Sequence, residues 1–445
     1  MDPKIFKAYD IRGVYPEEIN EDAAYKIGRA IVTFLKCERI VVGRDMRVSS
    51  PALFESLTKG ITDQGADVID IGLVTWPMVS FTIMHFKESS GLEVSASHSP
   101  AEYNGFKVIK NGGESVLQLS DEDGLEEISE IALEGKFEEP TKKGRIEQKD
   151  IKKDYQEYLL ARFKDISNLK VICDYGNGIG AVPAEPVLNA LPVEAVHLFK
   201  EPDGSFPNHM PNPHEIENFK PLQEEIQKQK ADLGIFFDGD GDRGELVDEN
   251  GEIIFPDVEL GALALDELSR NPGKKVFYDL RFTKAVAEEV EKAGGQAFML
   301  RVGNPFYKEA MLDEDALVAG ELSGHIFFKE HYGIDDGLYS ALKFMSLMNR
   351  TGKKASELVA PFKKYFQTEE INMKVADADE TIEKVRNKYS DGKLITIDGI
   401  LIDYGDWWLS LRKSNTEPLV RLRIEAKSKE LLEEKRKEVL KVIQG

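Results

Sequence analysis

A chain of 445 residues is too long for one hydrophobic core of ordinary size, which predicts three or four domains. Its composition, 41% hydrophobic and 31% charged, is that of a soluble protein, and no apolar run approaches the length that spans a bilayer. A formal net charge of -22 disfavours nonspecific attraction to nucleic acid or to an anionic membrane, so an anionic substrate would need a locally basic cleft. Cys37 and Cys173, far apart, argue against a disulfide framework or a cysteine-ligated metal. The opening Met1-Asp-Pro-Lys-Ile-Phe-Lys7 has no signal-peptide hydrophobic region, so a cytoplasmic protein is expected.

The first segment, 1–148, alternates β-type runs at 39–45, 66–74 and 105–110 with helical patterns at 21–36 and 51–64. Strands separated by helices predict an α/β layer. The Lys- and Glu-rich stretch 135–150, with Pro140, reads as the exit from this domain. Near the start, Lys7-Ala-Tyr-Asp-Ile-Arg-Gly13 sets Lys7, Tyr9 and Arg12 around a turn, and Gly43-Arg-Asp-Met-Arg47 adds two more cations. Charged faces are commonly solvent decoration, but in so acidic a chain cations that follow apolar strands read equally as anion ligands. A later strand ends in Ser95-Ala-Ser-His-Ser-Pro100, followed by Ala101-Glu-Tyr-Asn-Gly-Phe-Lys107. Ser97, between Ala96 and His98, is a candidate exposed nucleophile, although such a turn read alone is more often structural. It lacks the Gly-x-Ser-x-Gly elbow, which disfavours acyl transfer.

The second segment, 149–250, opens another α/β unit at Leu169 and carries the most informative run of the chain. Leu233-Gly-Ile-Phe-Phe237 delivers Asp238, Asp240 and Asp242, separated by Gly239 and Gly241 and closed by Arg243. Side chains two apart converge when the residues between them let the backbone bend, and glycine does so. Three carboxylates repel one another unless a cation sits among them, and monodentate oxygens that leave room for water or a phosphate oxygen suit Mg²⁺. Phosphate chemistry is therefore expected. An EF-hand loop would also begin Asp-x-Asp-x-Asp and would find Glu249 at its last position, but Arg243 stands where that loop needs glycine. A merely solvated acidic turn does not usually follow such an apolar run. Gly176-Asn-Gly-Ile-Gly-Ala181 satisfies a dinucleotide pattern, yet Pro183 and Pro186 are expected to interrupt the receiving helix, which disfavours NAD.

The third segment, 251–364, places strands at 275–279, 296–301 and 316–320, the last leading into Gly320-Glu-Leu-Ser-Gly-His325. Glu321 and Ser323 supply an acceptor and a donor suited to sugar hydroxyls, and His325 can exchange a proton near neutral pH; a capped turn with a surface histidine is the plainer alternative. The fourth segment, 365–445, has strands at 370–375, 394–402, 407–412 and 419–426 around one helix, with another helix at 429–443, which predicts a small antiparallel α+β domain. Its run Arg412-Lys-Ser-Asn-Thr-Glu-Pro418, with Arg421, reads either as a phosphate cradle or as a polar hairpin turn.

Together and in this order these loops resemble the α-D-phosphohexomutase family, in its phosphomannomutase/phosphoglucomutase branch. The likeness covers nearly the whole chain and includes Gly204-Ser-Phe-Pro-Asn-His-Met-Pro-Asn-Pro213. It implies three similar α/β domains with mixed sheets and a smaller C-terminal α+β domain around a central cleft, in a monomer or homodimer that binds a small-molecule sugar phosphate. The implied activity is interconversion of hexose 1-phosphate and hexose 6-phosphate, of mannose and/or glucose. Ser97 would carry the phosphoryl group, and a hexose 1,6-bisphosphate would be both intermediate and activator. By the same resemblance Ser97, Asp238, Asp240 and Asp242 would hold Mg²⁺, while Arg12 and Arg243 stabilise charge on the transferring group. Lys107 and His325 would exchange protons with the sugar hydroxyl, and His98 would support the serine loop. Tyr9, Gly303, Glu321 and Ser323 would meet the sugar; Arg412, Ser414, Asn415, Thr416 and Arg421 would grip the phosphate that does not react.

Three places depart from the family pattern: Ser99 stands where asparagine is usual, Asn304 and Pro305 stand where relatives often differ, and Leu322 is a mild change in the sugar loop. Three rival readings remain. One is a phosphoglucosamine mutase, another a metal-dependent phosphatase with Asp238 as nucleophile, and the third a sugar-phosphate binding protein without turnover.

Overall fold

A computed structural model of the chain describes residues 1–413 and 419–444, which form four sheets in succession. The first sheet runs, in spatial order, Ile11–Val14, Tyr103–Asn111, Ser90–Val94, Arg39–Arg44, Asp67–Leu73 and Ile146–Gln148. Its middle strands are parallel, and Tyr103–Asn111 lies antiparallel to both its long neighbours. The helix Glu21–Leu35 shows how locally this layer is specified. Asn20 caps it by accepting the Ala23 N–H at 3.1 Å, Glu21 and Asp22 occupy the positive first turn, and Lys36 ends it in the left-handed region. Ala23, Ile27, Ala30 and Ile31, at helical spacing, are the face it buries.

The second sheet is ordered Ile253–Ile254, Gly244–Asp248, Leu233–Phe237, Lys170–Asp174, Glu194–Leu198. Leu233–Phe237 is central and buried along its whole length, as its unbroken apolar run requires. The third sheet runs Gln296–Leu300, Lys275–Asp279, Ala316–Gly320, Ile326–Phe328. The fourth is antiparallel throughout, with Leu419–Ala426 and Trp407–Lys413 at its centre. One continuous core joins the first three units, from Val41 and Phe81 through Phe237 to Leu260 and Leu342. The fourth has its own core around Trp407, Leu409, Val420 and Ile424. No helix among the described residues is long and apolar enough to cross a membrane.

Three local expectations are corrected. The stretch 135–150 is not wholly an exit, because Ile146–Gln148 pairs with Asp67–Leu73 as an edge strand; all three residues are exposed, so no apolar signal marks them. The run 394–402 is two strands, Lys393–Ile395 and Ile400–Asp403, folded on each other. The helix Ala181–Ala190 forms in spite of its prolines: Pro183 falls in the first turn, where its missing N–H is harmless, and only Pro186 is interior. The glycine motif before this helix serves the neighbouring loop, since the Ile179 N–H donates to the Gly239 carbonyl at 3.0 Å.

The loops that matter leave the C-terminal ends of parallel strands, where open α/β sheets bind ligands: one follows Ser90–Val94, one Leu233–Phe237 and one Ala316–Gly320.

Candidate active site

The chain leaves the buried strand Ser90–Val94 in a tight turn where Ser97 takes φ 49°, a left-handed conformation uncommon for a residue with a Cβ. Arg47 holds that turn. Its guanidinium, in a residue only 1% exposed, donates to the carbonyls of Ser97 (2.7 Å), Ser99 (2.6 Å), Pro100 (2.6 Å) and Tyr103 (2.9 Å), and pairs with Asp45 at 3.2 Å. The alternative that Arg44 and Arg47 are anion ligands is thereby corrected: Arg44 pairs with Asp70 at 3.1 Å and lies over the Phe54 ring. Arg12, from strand Ile11–Val14, donates to Ser99 Oγ at 2.8 Å and pairs with Asp10, so the unusual serine has an arginine partner at the rim of the loop.

Asp238, Asp240 and Asp242 are buried, with ligand oxygens within 4.8 Å of one another. Glycine between them also lets the two loops touch, because a Cβ at Gly239 would fall 2.2 Å from the Ser97 carbonyl oxygen. Ser97 Oγ donates to Asp238 Oδ2 at 2.9 Å. Arg243 Nη2 donates to the same oxygen at 2.7 Å, to Ser97 Oγ at 3.3 Å and to His98 Nδ1 at 2.5 Å. Lys107 Nζ bridges Asp240 (2.6 Å) and Asp242 (2.8 Å). Asp240 Oδ1 and Asp242 Oδ1 remain buried without a hydrogen-bond partner among the described residues. Orphaned carboxylate oxygens converging on one point fit a hard divalent cation.

The charges follow from this crowding. Burial, with Asp242 beside it, pushes the Asp238 carboxyl up to about 7, although Arg243 opposes the shift. Burial works against the Lys107 ammonium, yet Asp240, Asp242 and Glu93 raise its pKa well above the ordinary value, so it is charged at neutral pH. Burial and the Arg243 guanidinium hold His98 far below its usual pKa, leaving a neutral ring whose Nδ1 accepts from Arg243.

On the facing wall His325 Nδ1 lies 3.4 Å from Asp335 Oδ2 and 3.8 Å from Asp242 Oδ1. Asp335 is anchored by the buried Lys308 at 2.8 Å and by Asn304 Nδ2 at 2.6 Å. Burial alone would lower the His325 pKa, but Asp242 and Asp335 raise it above the ordinary value. Glu321 Oε1 accepts the Gly303 N–H at 3.1 Å, and Tyr9 donates to the Val302 carbonyl at 3.3 Å, so Tyr9, Gly303 and Glu321 meet although distant in sequence. The Ser323 carbonyl accepts from Arg243 Nη1 at 3.2 Å, and its Oγ is buried and unpartnered among the described residues.

A cavity of about 830 Å³ runs from Tyr9, Glu321 and Ser323 to Arg281, Arg412 and Arg421. There three guanidiniums converge on Glu370: Arg412 at 3.1 Å, Arg421 at 3.1 Å and Arg281 at 3.3 Å. Burial would raise the Glu370 pKa, but these arginines hold it down to about 2. Ser414, Asn415 and Thr416 lie outside the described residues. Reasoning from the chain alone misses Arg281, Lys308, Asp335 and Glu370. The faint signals are Asp279-Leu-Arg281 at a strand end and the paired acids of Asp335-Asp336 before a helix.

Four domain models of the phosphoglucomutase/phosphomannomutase family match in chain order: alpha/beta/alpha domains I, II and III over residues 3–139, 153–251 and 256–365, and the C-terminal domain over 370–442. The chain is 39% identical over 433 residues to the phosphomannomutase/phosphoglucomutase of Pseudomonas putida, covering 95% of this chain and 92% of that protein. It is 37% identical over 439 residues to the phosphoglucomutase of Neisseria gonorrhoeae, covering 96% and 94%. The crystal structure of a phosphoglucomutase/phosphomannomutase family protein from Burkholderia thailandensis, 34% identical, superimposes with a TM-score of 0.91 over 100% of this chain and 98% of that one. With four domains matched in order and near-complete coverage of these relatives, the chain belongs to the phosphoglucomutase/phosphomannomutase family.

Proposed function

We propose that the protein is a phosphohexomutase that interconverts the 1- and 6-phosphates of glucose, mannose or both, with Ser97 carrying the phosphoryl group and a hexose 1,6-bisphosphate as intermediate and activator. The observation that carries this reading is Ser97 Oγ held between Asp238 at 2.9 Å and Arg243 at 3.3 Å, beside orphaned carboxylate oxygens, with the same Arg243 donating at 3.2 Å to Ser323 in the lining of an arginine-lined cleft.

A free hydroxyl oxygen of the hexose phosphate attacks the phosphorus on Ser97. The bond from phosphorus to Oγ breaks, and Ser97 recovers its hydroxyl by taking a proton. The bisphosphate so formed turns around, and the reverse step moves its other phosphate to Ser97. Phosphoryl transfer asks the protein mainly for position and for positive charge. Arg243 already touches Ser97 Oγ and so supplies charge where the bond breaks, with Arg12 at the rim of the loop. The charged Lys107 can return a proton to the serine side of the reaction. His325, tied to Asp335, can take the proton of the sugar hydroxyl, and Asp335, braced by Lys308, steadies the imidazolium that results. Asp238, Asp240 and Asp242, with Ser97 or its phosphate, would hold Mg²⁺, which neutralises charge on phosphoryl oxygens. A phosphoserine of about -1.5 to -2 charge beside three carboxylates is tolerable only with such a cation. Tyr9, Gly303, Glu321 and Ser323 form the wall for the sugar, and Arg412 and Arg421 receive the unreactive phosphate, with Ser414, Asn415 and Thr416 adjoining them in sequence.

The test is a coupled assay with Mg²⁺ and a trace of glucose 1,6-bisphosphate, offering glucose 1-phosphate, mannose 1-phosphate and glucosamine 1-phosphate in parallel. Conversion to 6-phosphates is expected, and the relative rates rank the sugars. Release of inorganic phosphate without isomerisation would favour the phosphatase reading, and binding without either reaction the non-catalytic one.

A further inference from the structure

We infer that Glu245 is a further sugar-contacting residue of this site, whose carboxyl hydrogen-bonds one ring hydroxyl of the bound hexose; the inference rests on reading the cleft as a hexose-phosphate site. Glu245 lies on strand Gly244–Asp248, two residues past Arg243, and lines the same cavity as Arg281, Glu321 and Ser323. The residue is only 6% exposed, and its carboxyl has no hydrogen bond among the described residues. A carboxyl in the lining of a cavity that makes no hydrogen bond to the protein is available to a donor or acceptor on a ligand.

Its position points to the sugar. A Cβ on Gly324 would fall 2.9 Å from Glu245 Oε1, so the carboxyl rests against the backbone between Ser323 and His325. It therefore borders the loop that faces the hexose. Near it Glu259, on helix Pro256–Arg270, is 3% exposed with Oε1 unpartnered among the described residues, and burial and the Glu245 charge raise its pKa well above the ordinary value, so it offers Glu245 no cation. Burial pushes the Glu245 carboxyl up to about 8, with Arg243 opposing and Asp238 adding to the shift. A carboxyl that keeps its proton can both donate to and accept from a hydroxyl, which an ionised one cannot. Between the two phosphates, hydroxyls are the polar groups a hexose presents.

The test is a coupling cycle with Mg²⁺ and bisphosphate present. Wild type and Glu245→Met, which keeps the bulk and removes both oxygens, are compared on glucose 1-phosphate and its 2-, 3- and 4-deoxy analogues. The variant is expected to lose roughly 10- to 100-fold in kcat/KM on the parent sugar, as a lost hydrogen bond in a desolvated pocket does. For one deoxy analogue, variant and wild type are expected to agree within about twofold, because the hydroxyl they differ over is gone. Glu245→Gln, which retains a donor and an acceptor, is expected to recover most of the loss. Equal losses on every analogue would overturn the inference and make Glu245 a prop for Arg243 or the loop, and no loss on the parent would overturn it too. If the methionine variant does not fold, Glu245→Ala repeats the cycle with different packing. Wild type that isomerises no hexose phosphate would sink the mutase reading itself, a separate outcome from a wild type that works and a variant that does not discriminate.

Discussion

Replacing Arg47 tests whether the serine loop is held by a single guanidinium. Five acceptors surround it, the four carbonyls of Ser97, Ser99, Pro100 and Tyr103 and the carboxylate of Asp45. Lysine brings three donors on one nitrogen, so at least two acceptors go unmet, and at about 1 kcal/mol each Arg47→Lys loses about 2 kcal/mol of stability. Arg47→Ala also strands a buried aspartate and loses about 3–5 kcal/mol. The kinetic effect is sharper, because Ser97 sits in a left-handed conformation that only the surrounding contacts maintain. A shift of its Oγ by about 1 Å lowers kcat by roughly 100-fold, while KM, set by other loops, stays within about threefold. Denaturant unfolding and the coupled mutase assay on Arg47→Lys measure both quantities. An unchanged unfolding midpoint with kcat within about twofold of wild type would refute the idea that the guanidinium fork positions Ser97.

The remaining predictions concern the other walls of the cleft. Asp240→Asn removes one carboxylate of the acidic cluster, and the Mg²⁺ concentration for half-maximal turnover should rise more than about tenfold; an unchanged Mg²⁺ titration counts against the assigned ligands. Asp335→Asn takes away a carboxylate 3.4 Å from His325 that raises its pKa, so the pH–rate limb belonging to His325 should move to lower pH, and an unmoved limb would mean Asp335 does not tune it. Glu370, held at about 2 against its ordinary 4.5, contributes about 3 kcal/mol that is fully present above about pH 4.5 and lost as pH falls toward 2. Glu370→Gln should therefore lower stability at neutral pH while removing the carboxylate that competes with the phosphate for Arg281, Arg412 and Arg421, so that KM for the sugar phosphate falls by about three- to tenfold. A rise in KM would show that the carboxylate organises the arginines rather than competing with the phosphate.

What the chain discloses in advance, and what it hides, follows from the range of the interactions. The Asp238 to Arg243 loop is legible because an unbroken apolar run can only be a buried strand and because its glycines alternate with the carboxylates. The serine and sugar loops are legible by the same strand-then-polar grammar. Arg47 is not, because its four carbonyl partners lie fifty or more positions away and its charge gives the look of a cleft residue when it is wholly buried. Lys308 and Asp335 hide in a helix and in a short bridge to Phe327 that would read the same if they faced solvent. Glu370 sits on no motif; only the fold brings Arg281 of the third unit and Arg412 and Arg421 of the fourth to it. Glu245 interrupts a strand that continues as Leu246 and Val247, and only its neighbours in space show that it lacks a partner.

The central claim is that Ser97 takes and returns the phosphoryl group, and labelled bisphosphate tests it directly. The protein is incubated with Mg²⁺ and glucose 1,6-bisphosphate carrying ³²P, the labelled peptide is located by mass spectrometry, and unlabelled hexose 1-phosphate is then added. Label is expected on Ser97 and passes into sugar phosphate on the chase, with no label in Ser97→Ala, which folds normally but does not turn over. Mutase turnover in Ser97→Ala, or label that stays on another residue while wild type turns over, would contradict it.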